Sequence, residues 1–373
     1  MSSLGKSFSP VVAWIVLCTF PGTSASTTVP SESELTPEVV AAVERGLEFL
    51  AQQQQRDGSW IGDVGYKLNT EYNVQEQSVP HVGVTALCGL AFLAGGHMPD
   101  VGRYGPNLQL CIDYLLDQVN ELGFITAHQT RMYSHAFATL FLAEVYGTTH
   151  RSDIRPKLQQ AVDLIVHAQN DKGSWRYVPF AVESDMSITV CQLMALRAAR
   201  NIGIKVNAST IDRAVKYVQG SLVTEAPSML SRHQPFWDPY YDFDVGAFRY
   251  QEELDSRSSF ALTAAGITSL YHAARYDTNY LRKSLEFMQR KQRDVPRGHY
   301  FYYYGHYYAV QAMYISGGEY WSTYWRQISR ELLDSQQKDG NWENYCGPGE
   351  RFATAVALIV LQTPYRYLPI LQR

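Results

Sequence analysis

The sequence predicts an all-α protein, a single (α/α)6 toroid in which six inner helices are wrapped by six outer ones. Three observations point there. One short design recurs along the chain, an amphipathic stretch closed by Gly58-Ser59-Trp60, by Gly173-Ser174-Trp175 and by Gly340-Asn341-Trp342. The three tryptophans are 115 and 167 residues apart, close to two and three times a unit of about 56, so one further copy is expected between the first pair and two between the second. The stretch after each turn is apolar on every side, and such a helix belongs inside.

Degraded copies stand where the spacing puts them. Gly123-Phe124 follows the helix-like residues 108–119, and Gly246-Ala247-Phe248-Arg249-Tyr250 echoes Gly173-Ser174-Trp175-Arg176-Tyr177. Gly298-His299-Tyr300 follows residues 281–292. Six units result, each with one helix before its glycine and one after. The leading helices carry apolar residues at three-to-four spacing, as in Val40, Val43, Leu47 and Leu50. The trailing, nearly apolar segments are residues 82–93, 136–145, 188–196, 260–270, 307–315 and 353–361. Closing the hairpins into a ring leaves none without a neighbour; an open solenoid of the same hairpins is the alternative.

Composition is that of an ordinary globular chain. Of 373 residues, 46% are hydrophobic and 18% charged, with a formal net charge of −4. That balance shows no basic face for phosphates, so no nucleic-acid partner is expected. Tyrosine stands out, at 26 against 15 Phe and 7 Trp, which implies either apolar surfaces with polar tips or a cavity lined with rings. Residues 1–26 read as a cleavable export signal, with Lys6, an apolar stretch over 11–20 and a small-residue exit at Gly22-Thr23-Ser24-Ala25-Ser26. The protein is therefore expected to be exported, periplasmic or secreted. Residues 27–35 form a Ser/Thr/Pro-rich linker, and the toroid takes 36–373. No later stretch is apolar over the roughly eighteen residues a spanning helix needs, which leaves peripheral contact with a membrane open. Cys88, Cys111, Cys191 and Cys346 follow the signal; export permits pairing, whereas Cys88 and Cys191 lie in apolar helical runs that suit free buried thiols.

Residues 45–60, 163–175 and 330–342, with their glutamines and closing tryptophans, resemble the QW motif of squalene-hopene cyclases. The six-unit plan is similar to the prenyltransferase/squalene oxidase repeat proteins, which include protein prenyltransferase β subunits. This likeness covers nearly all of the chain after the linker. It implies the toroid fold, and a structural role in which Gln53, Gln169 and Gln337 tie to helix termini with Trp60, Trp175 and Trp342 stacked beside them. Such residues mark architecture, not chemistry. The Asp-x-Cys pair and later His that hold zinc in the prenyltransferases do not occur, and Cys346-Gly347-Pro348-Gly349-Glu350 lacks the glutamine of a thioester motif. No metal and no cofactor are expected.

In a barrel of this design the cavity opens at the starts of the inner helices. Aligning the apolar runs brings His81, His135, Asp185, Ser258, Tyr304 and Glu350 to comparable positions, with His306 as near as Tyr304. Asp, Ser and Glu also cap helices or suit their first turn, and histidines at such places are commonly structural, so capping and a polar ring at an apolar mouth both remain open. Asp185 leads the functional reading. Glu183-Ser184-Asp185-Met186-Ser187 resembles a degraded Asp-x-Asp-Asp-Thr motif of the cyclases, which implies that Asp185 is the acid that protonates a polyene. Met186 stands where the helping second aspartate would be.

Residues 299–308 are the densest aromatic run. Facing a cavity, such rings would stabilise a carbocation or pack an isoprenoid chain; facing the other way, they would fill the space between helix layers. Residues 236–244 have the Pro, Asp and aromatic content of a lid. Two functions follow. In the first, a terpenoid-cyclase-like toroid encloses an isoprenoid or other apolar small molecule. Asp185, His135, His306 and Glu350 then act on it, and His81, Tyr133, Ser258, Tyr303, Tyr304 and Tyr307 line it. Family cyclases enclose their site between two helical domains, so a single toroid calls for a homodimer, a second cyclase-like subunit or a smaller isoprenoid. In the second, a non-catalytic exported binding or scaffold toroid recognises a peptide or glycan.

Overall fold

A computed structural model describes residues 34–68, 71–225, 245–253, 256–274 and 278–371. The expected export signal, most of the linker and the lid-like residues 236–244 lie outside the described residues. The outer helices are α1 (Pro37–Gln53), α3 (Gly105–Asp117), α5 (Ile154–His167), α7 (Ala208–Gly220), α9 (Thr278–Lys291) and α11 (Gly318–Ser335). Alternating with them are the inner helices α2 (Val82–Ala94), α4 (Met132–Tyr146), α6 (Met186–Asn201), α8 (Phe260–His272), α10 (Tyr302–Ser316) and α12 (Glu350–Gln362). Each inner helix packs on the next, and α12 returns onto α2. The ring is closed, and the open solenoid is set aside. Among the described residues no helix is long and apolar enough to cross a membrane.

Burial follows the expected split between the layers. Every residue of α2 is buried, whereas α1 buries Val39, Ala42, Val43, Gly46, Leu47, Phe49 and Leu50. Val40 faces solvent instead. The four remaining cysteines are unpaired; Cys88, Cys111 and Cys191 are buried and Cys346 is half-buried.

A common joint links neighbouring units. Gly58, Gly123, Gly173, Gly246 and Gly340 all take φ between +83° and +96°, which a side chain rarely tolerates. Each also presses on the next outer helix. A Cβ would lie 2.0 Å from the carbonyl oxygen of Leu110 at Gly58, 2.2 Å from that of Gln160 at Gly123, and 2.4 Å from that of Arg45 at Gly340. The last of these contacts joins the sixth unit to α1 and so closes the ring. Two residues after the glycine, a buried group plugs the hairpin: Trp60, Ile125, Trp175, Phe248 and Trp342. Each tryptophan donates its indole N–H to a carbonyl ten residues earlier, those of Leu50, Ile165 and Leu332, at 2.7–2.9 Å. In the second unit the plug is Ile125, one residue beyond the aromatic that the sequence suggested.

Glutamine ties the joint, though not always the expected one. Gln54 donates to the carbonyls of Gly58 and Asn107, Gln169 to those of Gly173 and Thr210, and Gln336 to those of Gly340 and Ala42. Gln53 and Gln337 are therefore corrected by one residue, since their side chains sit outside the turn. Gln53 accepts from Arg351, and Gln337 folds back on the carbonyl of Ser335. The fifth unit has no such joint. Gly298 is exposed with open space around its Cα, and its φ is not positive. That expected copy is withdrawn.

One feature is not helical. β1 (Ile61–Leu68) and β2 (Glu71–Pro80) form an antiparallel hairpin between the first joint and α2, with Ile61 opposite Pro80 and Leu68 opposite Glu71. Its strands reach other units. Glu76 accepts from Gln129 at 2.9 Å and pairs with His128 at 3.0 Å, and the ring of Tyr72 meets that of Tyr300 at 5.9 Å.

Candidate functional site

All six inner helices start at the same end of the ring, since residues of their first turns line one cavity. A cavity of about 400 Å³ opens there, lined by residues from the first turns of all six and by the β1–β2 hairpin. Tyr66, Tyr72, Tyr133, Tyr177, Tyr250, Tyr300, Phe301 and Tyr304 wall it, with Phe137, Leu262 and Phe352 among its apolar contacts. None of the described lining residues is Asp or Glu. Burial raises the pKa of the Tyr72 and Tyr177 phenols to about 12 and those of Tyr133 and Tyr304 well above the ordinary value, so these four remain hydroxyl groups.

Three residues expected at the site are on the wall. His81 caps α2, its Nδ1 accepting the N–H of Val84 at 3.2 Å. Burial lowers its pKa to about 4, so the ring is neutral and carries its hydrogen on Nε2. Tyr133 donates to the Ser187 hydroxyl at 2.5 Å. The hydroxyl of Tyr304 is buried without a hydrogen-bond partner.

Asp185 stands one layer back. It caps α6, accepting from the N–H groups of Ser187 at 2.8 Å and Ile188 at 3.2 Å and from the Ser187 hydroxyl at 2.5 Å. The Tyr250 hydroxyl also donates to it, and Tyr177 meets Tyr250 at 2.6 Å. Arg176 lies 3.7 Å away. Asp185 is fully buried and absent from the wall, and its hydrogen-bond partners Ser187 and Tyr250 stand between it and the cavity.

The remaining expected residues are elsewhere. His135 lies inside α4, with Nδ1 accepting the N–H of Ile125 at 3.1 Å and Nε2 on the carbonyl of Ala161 at 3.2 Å. It thereby does what Thr85, Thr189, Thr263 and Thr354 do in other units, where each threonine hydroxyl accepts the N–H of the plug residue. His306 turns outward to the Tyr324 hydroxyl on α11, at 3.0 Å, and Tyr303 outward to the carbonyl of Glu343. Tyr307 is buried against Phe137, and Glu350 accepts from Asn341 at 2.9 Å. Ser258 is buried beside the bridge to Arg249; its neighbour Ser259 caps α8 and lines the cavity. These six are corrected from cavity to frame.

Sequence reasoning missed Tyr177, Tyr250, Arg131, Arg257 and the hairpin. A signal for the two tyrosines was present, since each stands two residues after its plug in the echoing stretches 173–177 and 246–250. The hairpin's signal was the period-two run of Val64, Tyr66 and Leu68, then Tyr72 and Val74. Among the described residues no group of three or more His, Cys, Asp or Glu side chains is placed to hold a metal.

A closed ring of six inner and six outer helices defines an α/α toroid. Solved structures with this fold include the α-1,6-mannanase GH76A of Salegentibacter sp. HEL1_6, at 8% identity and a TM-score of 0.62 over 88% of this chain and 99% of that one. An α-amylase from Clostridium perfringens is 12% identical, with a TM-score of 0.59 over 91% and 100%. A variant of the type II terpene cyclase MstE from Scytonema, in complex with its substrate geranylgeranyl dihydroxybenzoate, is 12% identical, with a TM-score of 0.53 over 89% and 98%. No family model and no curated protein matches the sequence. These likenesses establish the fold, which serves more than one chemistry.

Proposed function

We propose that the protein holds an apolar small molecule of isoprenoid type, as a terpenoid-cyclase-like toroid that encloses its ligand without protonating it. The aromatic wall carries this reading. At about 400 Å³ the cavity falls in the range of roughly 300–1,000 Å³ that suits a small organic molecule. A single toroid of this size favours a smaller isoprenoid over a second subunit. The neighbour bound to geranylgeranyl dihydroxybenzoate makes that class the first to try.

Two chemistries fit less well. Glycoside hydrolysis uses two carboxylates flanking the bond, and the described wall offers none. Cyclisation begins when an acid hands a proton to an alkene carbon within contact. Here the hydroxyls of Ser187 and Tyr250 both donate toward Asp185, so their hydrogens point away from the cavity. Export through residues 1–26 belongs to the same proposal, and the mature chain would then begin near residue 27.

The test is incubation of the purified protein with squalene, farnesyl diphosphate and geranylgeranyl diphosphate, followed by extraction and product analysis beside Asp185→Asn, which keeps a capping side chain. Expected is retention of unaltered ligand by both proteins. A cyclised product made by the parent and lost in the variant would overturn the proposal in favour of acid-initiated catalysis.

A further inference from the structure

We infer that the ligand carries an anionic head, a carboxylate or a phosphate, beside its apolar body; this deepens the proposed function and rests on it. Lys67, Arg131 and Arg257 all line the cavity, and they come from three separate places: β1, the residue before α4, and the segment before α8. Each is held over a ring of the same wall. The Lys67 ammonium sits 4.6 Å from the centroid of Phe301, the Arg257 guanidinium 4.8 Å from Tyr250 and the Arg131 guanidinium 5.5 Å from Tyr66. Stacking of this kind keeps the charges at the cavity.

The backbone adds to that field. Six inner helices point their N-termini at the cavity, each bringing a partial positive charge. Asp185, His81 and Ser259 cap three of them, while α4, α10 and α12 start without a side-chain cap. Asp185 is already met by Arg176 and four hydrogen-bond donors behind the wall. The described lining carries three cations and no carboxylate. An anionic head at the mouth, with the chain running inward among the tyrosines, satisfies both halves of the site.

Three probes with one chain decide the matter: farnesol, farnesoic acid and farnesyl monophosphate, titrated calorimetrically at about 50 and about 300 mM salt. At least one of the two anions is expected to bind tenfold or more tightly than the alcohol, with a preference that shrinks at the higher salt. Whichever of the acid and the phosphate binds tighter identifies the head. Arg131→Gln and Arg257→Gln, checked for folding by circular dichroism, are each expected to weaken the preferred anion several-fold more than they weaken the alcohol. Equal binding of all three probes overturns the inference and spares the apolar-ligand reading. So does an anion preference that persists at high salt and in both variants. If none of the three binds, the apolar-ligand reading itself falls, and the inference with it.

Discussion

Five seams of the ring share one joint, while the seam from α9 to α11 does without it. At the five, a glycine with positive φ lets the turn touch the next outer helix, and a buried plug hangs from its own hairpin. At the exception the chain runs from Lys291 to Tyr302 through an exposed Gly298, and aromatic residues fill the place. Helical spacing then divides that aromatic run by direction. Phe301 and Tyr304 face the cavity, whereas Tyr303 and His306 face outward to the carbonyl of Glu343 and to Tyr324. Ring closure therefore tolerates one irregular seam, and that seam supplies part of the cavity wall.

The contrast breaks most sharply at the glycines. Gly123→Ala puts a Cβ about 2.2 Å from a backbone oxygen on a backbone that disfavours it, and is expected to cost about 3 kcal/mol or more in urea denaturation. Gly298→Ala, in open space, should change stability by less than about 0.5 kcal/mol. Equal costs would mean that the joints do not hold the ring. Next in size, Trp175→Phe loses the indole bond to Ile165 and strands its carbonyl, for an expected loss of about 2 kcal/mol in the same assay.

Acid titration sharpens the comparison within the regular joints. Burial lowers the pKa of His135 to about 4 in the folded protein, below the ordinary 6.5. Protons therefore favour the unfolded chain, and stability drains as pH falls from about 6.5 to about 4, by roughly 1.4 kcal/mol per pH unit for this one group. His135→Thr installs the residue that serves four other units, and its stability should fall less steeply over that window by about that slope. An unchanged slope would place the acid sensitivity elsewhere. Among the losses at the joints the smallest expected is about 1 kcal/mol for Gln169→Ala, which removes two side-chain donations across a half-buried turn.

The ring itself was legible because tryptophans and glycines repeat at a spacing that only whole hairpins explain. Finer placement failed where the alphabet is redundant. Gln52 to Gln55 and the Gln336-Gln337 pair offer several glutamines at one joint, so the register slipped by a residue; Gln169, alone in its turn, was placed correctly. Ser258 and Ser259 caused the same slip at α8. His135 misled for a different reason: an imidazole nitrogen can replace a threonine oxygen as an acceptor, and nothing in one sequence distinguishes that substitution from a catalytic histidine. Asp185 was legible as a cap, yet its place behind Ser187 and Tyr250 depends on contacts between units 65 residues apart.

Ring closure also dictates when the chamber comes into being. Gln336 holds the carbonyl of Ala42 across 294 positions, and Phe352 on α12 supplies part of the wall. A nascent chain still lacking that last hairpin leaves the side of α2 that α12 covers open to water. Because contacts this remote form late, anything that binds in the chamber would stabilise the finished circle and none of its precursors.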